Sequence, residues 1–173
     1  MQLIRIRALT ICKRALISAW TFLTFTYGHD TVAGPVNPPC SEISGRFVFT
    51  AFTFLNGEGT EATGDAEIWI DGKLVGHAHA HYFIDRKGNG VNQATFSHDW
   101  TFLDGSTIHS EDQGVVLLDS KNPGWGRINS RLHLVSGTGL LAGATGLVHT
   151  HGEANLFTLE GGIDFKGQIC LPE

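Results

Sequence analysis

Short runs of β-branched and aromatic residues, separated by glycine-containing turns, constrain this fold more than any other feature of the sequence. From Gly45 onward the runs recur at intervals of roughly 12–18 residues, and no long apolar stripe of helical period interrupts them. The pattern predicts eight strands, at 45–55, 61–70, 73–86, 91–103, 106–119, 126–136, 146–158 and 162–170. Because closure removes exposed sheet edges, we expect an all-β fold consisting of a single small eight-stranded antiparallel up-and-down β-barrel.

The first forty residues have a different character from the rest of the chain. Four basic residues lie among the first 14, the apolar stretch Ala15–Phe25 follows, and small residues lead to Ala33. This order is typical of a secretory signal peptide, and the apolar stretch is shorter than the roughly 20 residues of a membrane span. We predict a signal peptide at 1–33, a proline-containing linker at 34–40 and the barrel domain at 41–173, in a protein secreted or otherwise extracytoplasmic. A mis-assigned start codon or a disordered extension is the alternative.

Two cysteines lie at opposite ends of the predicted domain, Cys40 before the first strand and Cys170 at the end of the last. In an oxidising compartment such a pair predicts one disulfide, which would close a loop of about 130 residues. Two unrelated buried thiols are the alternative.

The composition limits the classes of partner. The chain has 173 residues, 42% of them hydrophobic and 17% charged, as expected for one folded domain. The formal net charge is −5, so no basic surface is available to neutralise phosphates. We therefore expect a small-molecule substrate, with neither nucleic acid nor a membrane anchor as partner, and the composition leaves the oligomeric state open.

The chain contains nine histidines, and hairpin registers predict where they point. Turn signals at 71–72, 87–90 and 104–105 define three hairpins whose registers would place His79 opposite His98. The opposite face carries mainly Asp, Ser, Thr and Gln, Ser110 and Asp112 among them, and is expected in solvent, so the histidine face is expected inside the barrel. That face would bring together His77, His79, His81, His98, His109 and Glu111. Its apolar and small neighbours would form a substrate pocket of Phe96, Trp100, Phe102, Gln113, Ala62, Gly64 and Ala66.

Five imidazoles and a carboxylate inside one small barrel predict a metal site or a polar ligand pocket. Buried polar groups without partners cost free energy, so a purely structural role for so many of them is not expected. Cross-strand spacing would allow His77, His79, His81, His98 and His109 to converge on a divalent metal, which could be iron, manganese, copper or zinc. Glu111, His98 and His109 are the predicted catalytic groups. The resulting hypothesis is an exported metal-dependent enzyme of the oxygenase or lyase type, acting on an apolar, aromatic or lipid-like molecule.

Two alternatives to a metal enzyme stay open from the residues alone. The same groups support a metal-free cyclase or isomerase that uses His and Glu as acid and base. A carrier that binds a ligand or a metal without turnover is the other possibility. A second pair, His149 and His151, points either inward or outward, while His133 is expected outside and His29 would leave with the signal peptide.

Two short segments resemble known families. The hairpin at 135–146, Val-Ser-Gly-Thr-Gly-Leu-Leu-Ala-Gly-Ala-Thr-Gly, resembles that of the allene oxide cyclase and dirigent barrel superfamily. The resemblance implies an eight-stranded barrel with an apolar cavity, and cyclisation or stereocontrolled coupling of an apolar small molecule. Gly76-His77-Ala78-His79 is similar to the start of the cupin metal motif, although no glutamate follows before Glu111.

Overall fold

The computed structural model describes residues 39–86, 91–119, 121–122 and 124–172, which form a closed eight-stranded antiparallel barrel. Each strand pairs with its neighbours in sequence, and the first pairs with the last. The strands are β1 (Cys40–Phe54), β2 (Glu61–Ile70), β3 (Lys73–Arg86), β4 (Val91–Phe102), β5 (Thr107–Leu118), β6 (Trp125–Thr138), β7 (Thr145–Asn155) and β8 (Gly161–Cys170). The predicted fold class is therefore confirmed, and a 3₁₀ turn at Gly139–Leu141 precedes β7.

Every second side chain along a strand points into the barrel, and these inward side chains form the core. On β2 to β5 the buried positions are even-numbered, because successive residues of a strand point to opposite faces. Small residues dominate β2 and β3, whereas β4 supplies large aromatic rings. The buried side chains of these strands include Ala62, Ala66, Ile68, Ala78, Ala80, Tyr82, Ala94, Phe96, Trp100, Ile108 and Val116.

The β2–β3 hairpin begins as predicted and then changes register. Asp71 and Gly72 both have positive φ, 50° and 70°, which is typical of a two-residue type I′ turn, and Ile70 pairs with Lys73. Beyond the turn the partner of Ile68 is Gly76 while that of Trp69 is Leu74. Val75 is therefore the extra residue of a β-bulge, and the rest of β3 is shifted by one position.

The next two hairpins also differ from the prediction by one residue. Arg86 pairs with Asn92 rather than with Val91. At the β4–β5 turn the amide of Phe102 donates to the carbonyl of Ser106 at 2.9 Å, and Gly105 adopts a φ of 85°. These contacts define a three-residue loop closed by a left-handed glycine, in place of the predicted two-residue loop.

The register shifts correct the predicted histidine face. A slip of one residue moves every side chain of a strand to the other face of the sheet. Compared with the prediction, β3 and β5 have therefore exchanged their inward and outward faces, whereas β4 has not. The side chains of β3 and β5 that were predicted inside therefore lie on the outer wall. These are His77, His79, His81, His109, Glu111 and Gln113.

A disulfide joins Cys40 to Cys170, as predicted, at the seam where β1 meets β8. The predicted signal peptide at 1–33 and His29 lie outside the described residues. No helix in the described ranges is long and apolar enough to cross a membrane.

Candidate functional site

His98 is the histidine that β4 directs into the barrel. Its side chain is 14% exposed, and its ring is one wall of an interior cavity. Ser110 lies directly across from it on β5. The next inward residue of that strand, Asp112, is consequently a diagonal neighbour within reach of the imidazole.

Asp112 holds His98 through a hydrogen bond between its Oδ2 and Nδ1 of the imidazole. The carboxylate side chain has no solvent exposure, and Ser110 Oγ donates to the same oxygen at 3.1 Å. Since the carboxylate is an acceptor, Nδ1 carries the proton in this arrangement and Nε2 is the nitrogen left for other partners. Asp112 Oδ1 has no hydrogen-bond partner within the described part of the chain.

Three aromatic rings surround the His98 imidazole. Phe47 stacks on it at a centroid distance of 6.3 Å, and Tyr82 meets it edge-on at 6.0 Å. Phe96 lies at 6.1 Å in a tilted orientation. The histidine and its carboxylate therefore lie in an apolar setting, where electrostatic interactions are stronger than in water.

The Tyr82 hydroxyl keeps its proton throughout the neutral range. Burial raises the pKa of Tyr82 well above its ordinary value, and the negative charges of Asp112 and Asp65 add to the shift. A protonated phenol is a hydrogen-bond donor. The interior consequently combines a nitrogen that can accept a proton, Nε2 of His98, with a phenol that can donate a hydrogen bond, Tyr82.

The cavity beside His98, here named the site cavity, has a volume of about 40 Å³. Gly64, Ala66, Ala78 and Ala80 leave its β2–β3 wall open because their side chains are small. Besides His98 and Tyr82, the polar residues of the lining are Ser130 and Thr150, whose hydroxyls are hydrogen-bonded to each other at 2.6 Å. The cavity therefore suits an uncharged group more than an ionic one.

The predicted substrate pocket is partly assembled. Gly64, Ala66 and Phe96 line the site cavity. Ala62 and Trp100 are buried in the core without lining it, and Phe102 is half-buried against the same core. Gln113 is on the outer wall, where the shift of β5 places it.

Three of the outward histidines of β3 and β5 are paired with carboxylates instead of converging on one point. His79 Nδ1 is 2.7 Å from Asp65 Oδ1, and His109 Nδ1 is 2.7 Å from Asp99 Oδ1. His81 is bonded to Glu61 at 2.8 Å. The predicted convergence of five histidines and Glu111 inside the barrel is thus corrected, because only His98 among them points inward.

The described residues contain no group of three or more His, Cys, Asp or Glu side chains arranged to hold a metal ion. The cupin-like pair, His77 and His79, is exposed on the outer wall of β3. Metal binding itself stays a prediction, without the interior geometry on which it rested.

The second histidine pair also lies outside. His149 and His151 alternate with the buried Val148 and Thr150 on β7, and both are exposed. His133 is exposed on β6, in the orientation expected for it. An open groove of about 1100 Å³ crosses this outer wall, and the exposed His149 and His151 are among its lining residues.

Sequence reasoning missed three members of the site: Asp112, Ser110 and Tyr82. Asp112 and Ser110 were placed on the solvent face by the same one-residue slip that placed His109 and Glu111 inside. The signal that identifies them is the turn at 103–105, because a three-residue loop with glycine last changes the parity of β5.

Comparison with known proteins supports the fold. No family model and no curated protein sequence matches the chain. The structure is similar to that of the pterocarpan synthase dirigent protein PsPTS1, with a TM-score of 0.61 and 13% identity over 80% of this chain and 99% of that one. It is also similar to the pterocarpan synthase dirigent protein GePTS1, with a TM-score of 0.59 and 15% identity over 86% and 98% of the two chains. At this identity the likeness shows a shared barrel fold, consistent with the superfamily that the 135–146 hairpin resembles.

Proposed function

We propose that the chain is a metal-free cyclase or isomerase that acts on a small, flat, apolar molecule inside the barrel. The observation that carries the proposal is the His98–Asp112 pair, which faces an interior cavity walled by aromatic rings. A histidine oriented by a buried carboxylate is a recurrent acid–base arrangement in enzymes.

Each residue of the pair has a separate role. Asp112 fixes the orientation of the ring and keeps the proton on Nδ1, so that Nε2 accepts a proton from the substrate. Asp112 also stabilises the imidazolium that forms, because the two charges are adjacent in a water-poor setting. Ser110 donates a second hydrogen bond to the same carboxylate oxygen and helps to fix its position.

Tyr82 complements this pair as a donor. Its raised pKa keeps the hydroxyl protonated, and its ring lines the same cavity as His98. We assign it the role of donating a hydrogen bond to a carbonyl oxygen of the substrate, where negative charge develops when a proton is removed elsewhere.

A model reaction with the required chemistry is the closure of 2′-hydroxychalcone to flavanone. His98 Nε2 takes the phenolic proton while the phenolate oxygen bonds to the enone β-carbon. The imidazolium then returns a proton to the α-carbon of the enolate, so atoms and charges balance and the imidazole is regenerated. The two structural neighbours bear the name pterocarpan synthase, which is compatible with small-molecule chemistry on this barrel.

The test is the rate and enantiomeric excess of flavanone formation with purified protein. We expect an excess of one enantiomer, and a rate loss of about 10²–10⁴-fold in His98→Gln, the range typical of a lost general base. The matched control is His109→Gln, which removes a histidine with the same carboxylate pairing from the outer wall. A racemic product at the buffer rate, or equal loss in both variants, would count against the proposal.

We also infer that the protein works outside the reducing cytoplasm. The disulfide between Cys40 and Cys170 supports this location, because such bonds persist mainly in oxidising compartments. Localisation of the full chain fused to a reporter tests it, and retention in the cytoplasm would contradict it.

A further inference from the structure

Tyr82 stands between two interior cavities. The site cavity contains His98, and a second cavity of the same volume, about 40 Å³, reaches the end of the barrel at Phe54 and Leu118. We name the second one the rim cavity. The Tyr82 ring lies 6.0 Å from the His98 ring on one side and 5.6 Å from the Phe52 ring on the other. Both cavities share the lining residues Phe49, Tyr82, Phe96 and Ile128.

Neither cavity holds an aromatic ring by itself. A cavity that binds benzene has a volume of about 150 Å³, several times that of either one. Tyr82 fills space at the boundary between them, so the position of its side chain decides whether the two volumes are separate or continuous.

The Tyr82 ring is closely packed on one side and borders free volume on the other. A Cβ at Gly64 would lie 3.2 Å from Cε2 of Tyr82, so the ring packs closely on the glycine. On its own strand the preceding inward residues are Ala80 and Ala78, whose small side chains border the site cavity. The ring therefore has free volume towards His98.

The rim cavity offers a route from solvent. Phe54 is 38% exposed and Leu118 is 46% exposed, although both also line the cavity. Their exposure at the barrel end places an apolar entrance on the far side of Tyr82 from His98. A ligand that enters there passes Tyr82 before it meets the imidazole.

We infer that Tyr82 is a specificity-determining residue that sets the upper size of the ligands that the barrel interior admits. With the Tyr82 ring in place the two cavities are separate and each is smaller than one aromatic ring, so a flat apolar ligand reaches both of them only when that ring is displaced. This inference rests on the proposed function only in taking His98 as the group that reacts with the bound ligand. The two cavities and their boundary do not depend on the chemistry.

The test uses N-phenyl-1-naphthylamine, an uncharged two-lobed fluorescent probe, titrated into the full chain. Removing the phenol ring in Tyr82→Ala is expected to tighten binding by about tenfold or more, because no ring must be displaced. Tyr82→Phe keeps the ring and is expected to bind within about twofold of the parent. Phe83→Ala removes an exposed aromatic side chain from the adjacent position and is the matched control. Equal affinities for Tyr82→Ala and Phe83→Ala would overturn the inference.

Two further variants keep the outcome interpretable. If Tyr82→Ala does not unfold cooperatively, Tyr82→Leu replaces it, with an expected gain of about threefold or more, and no gain again overturns the inference. The titration is repeated in a His98→Gln background, where Tyr82→Ala is expected to tighten binding by the same factor as in the parent. No flavanone formation by the parent, or equal rates for the parent and His98→Gln, together with an intact Tyr82 effect would refute the acid–base proposal alone. Flavanone formation that depends on His98, without a Tyr82 effect on binding, would refute the role of Tyr82 alone.

Discussion

His98 and Asp112 lie diagonally across β4 and β5, and the imidazole Nδ1 is bonded to a carboxylate that has no solvent exposure. A buried pair of this kind is costly to break, since removal of one partner leaves the other without compensation. The same relationship is what makes His98 different from the histidines of the outer wall, whose carboxylate partners are solvated.

A double-mutant cycle measures this coupling. We expect His98→Leu and Asp112→Leu each to lower the free energy of unfolding by about 3–5 kcal/mol, and the double variant to lose less than the sum. The outer pair, His109 and Asp99, provides the control cycle, in which each change is expected to cost about 0–1 kcal/mol. Urea unfolding at pH 7 gives the values, and additive losses at the inner pair would contradict the account.

Alkaline stability depends on Tyr82. Its pKa is raised in the folded protein, mainly by burial, so the unfolded chain releases the phenolic proton near pH 10 while the folded one retains it. The contribution of this group is therefore complete below about pH 10 and is lost as the pH rises further. Tyr82→Phe is expected to move the midpoint of alkaline unfolding upward. A midpoint that stays the same or falls would show that the buried phenol is not a source of alkaline instability.

The disulfide fixes the seam of the barrel. Cys40 and Cys170 are 130 residues apart in sequence, and their strands pair directly. A cross-link over so long a loop is expected to contribute about 2–5 kcal/mol, chiefly by restricting the unfolded chain. Comparing urea unfolding of the parent with the double variant Cys40→Ser, Cys170→Ser measures the contribution, and a difference below about 1 kcal/mol would contradict it.

Gly76 tests the shifted register of β3. A Cβ at this position would lie 2.5 Å from the carbonyl oxygen of Thr101, whereas a Cβ at Gly57 would meet nothing within 4 Å. Gly76→Ala is expected to lower the free energy of unfolding by more than about 2 kcal/mol, because backbone must move to relieve the overlap. Gly57→Ala is expected to change it by less than about 0.5 kcal/mol. Equal effects of the two changes would place β3 in a different register.

The strands and their closure into a barrel could be predicted because turn residues and β-branched runs are local signals in the sequence. The pairing register of the strands could not be predicted, since it depends on single residues whose effect on register the sequence does not show. Val75 gives no sign that it forms a bulge, and Asp104-Gly105 suits either a two-residue turn or the end of a three-residue loop. The same ambiguity limited the site. His98 and Phe96 lie inside as expected, whereas Asp112 was placed in solvent.

The central claim, that His98 held by Asp112 is the reactive group of an interior ligand site, is tested most directly by long-range ¹H–¹⁵N NMR of the histidine side chains. Spectra are compared without and with N-phenyl-1-naphthylamine bound to Tyr82→Ala. We expect His98 to carry its proton on Nδ1, and its Nε2 signal to shift on binding while those of His79 and His109 do not. A His98 proton on Nε2, or a shift confined to the outer histidines, would contradict the claim.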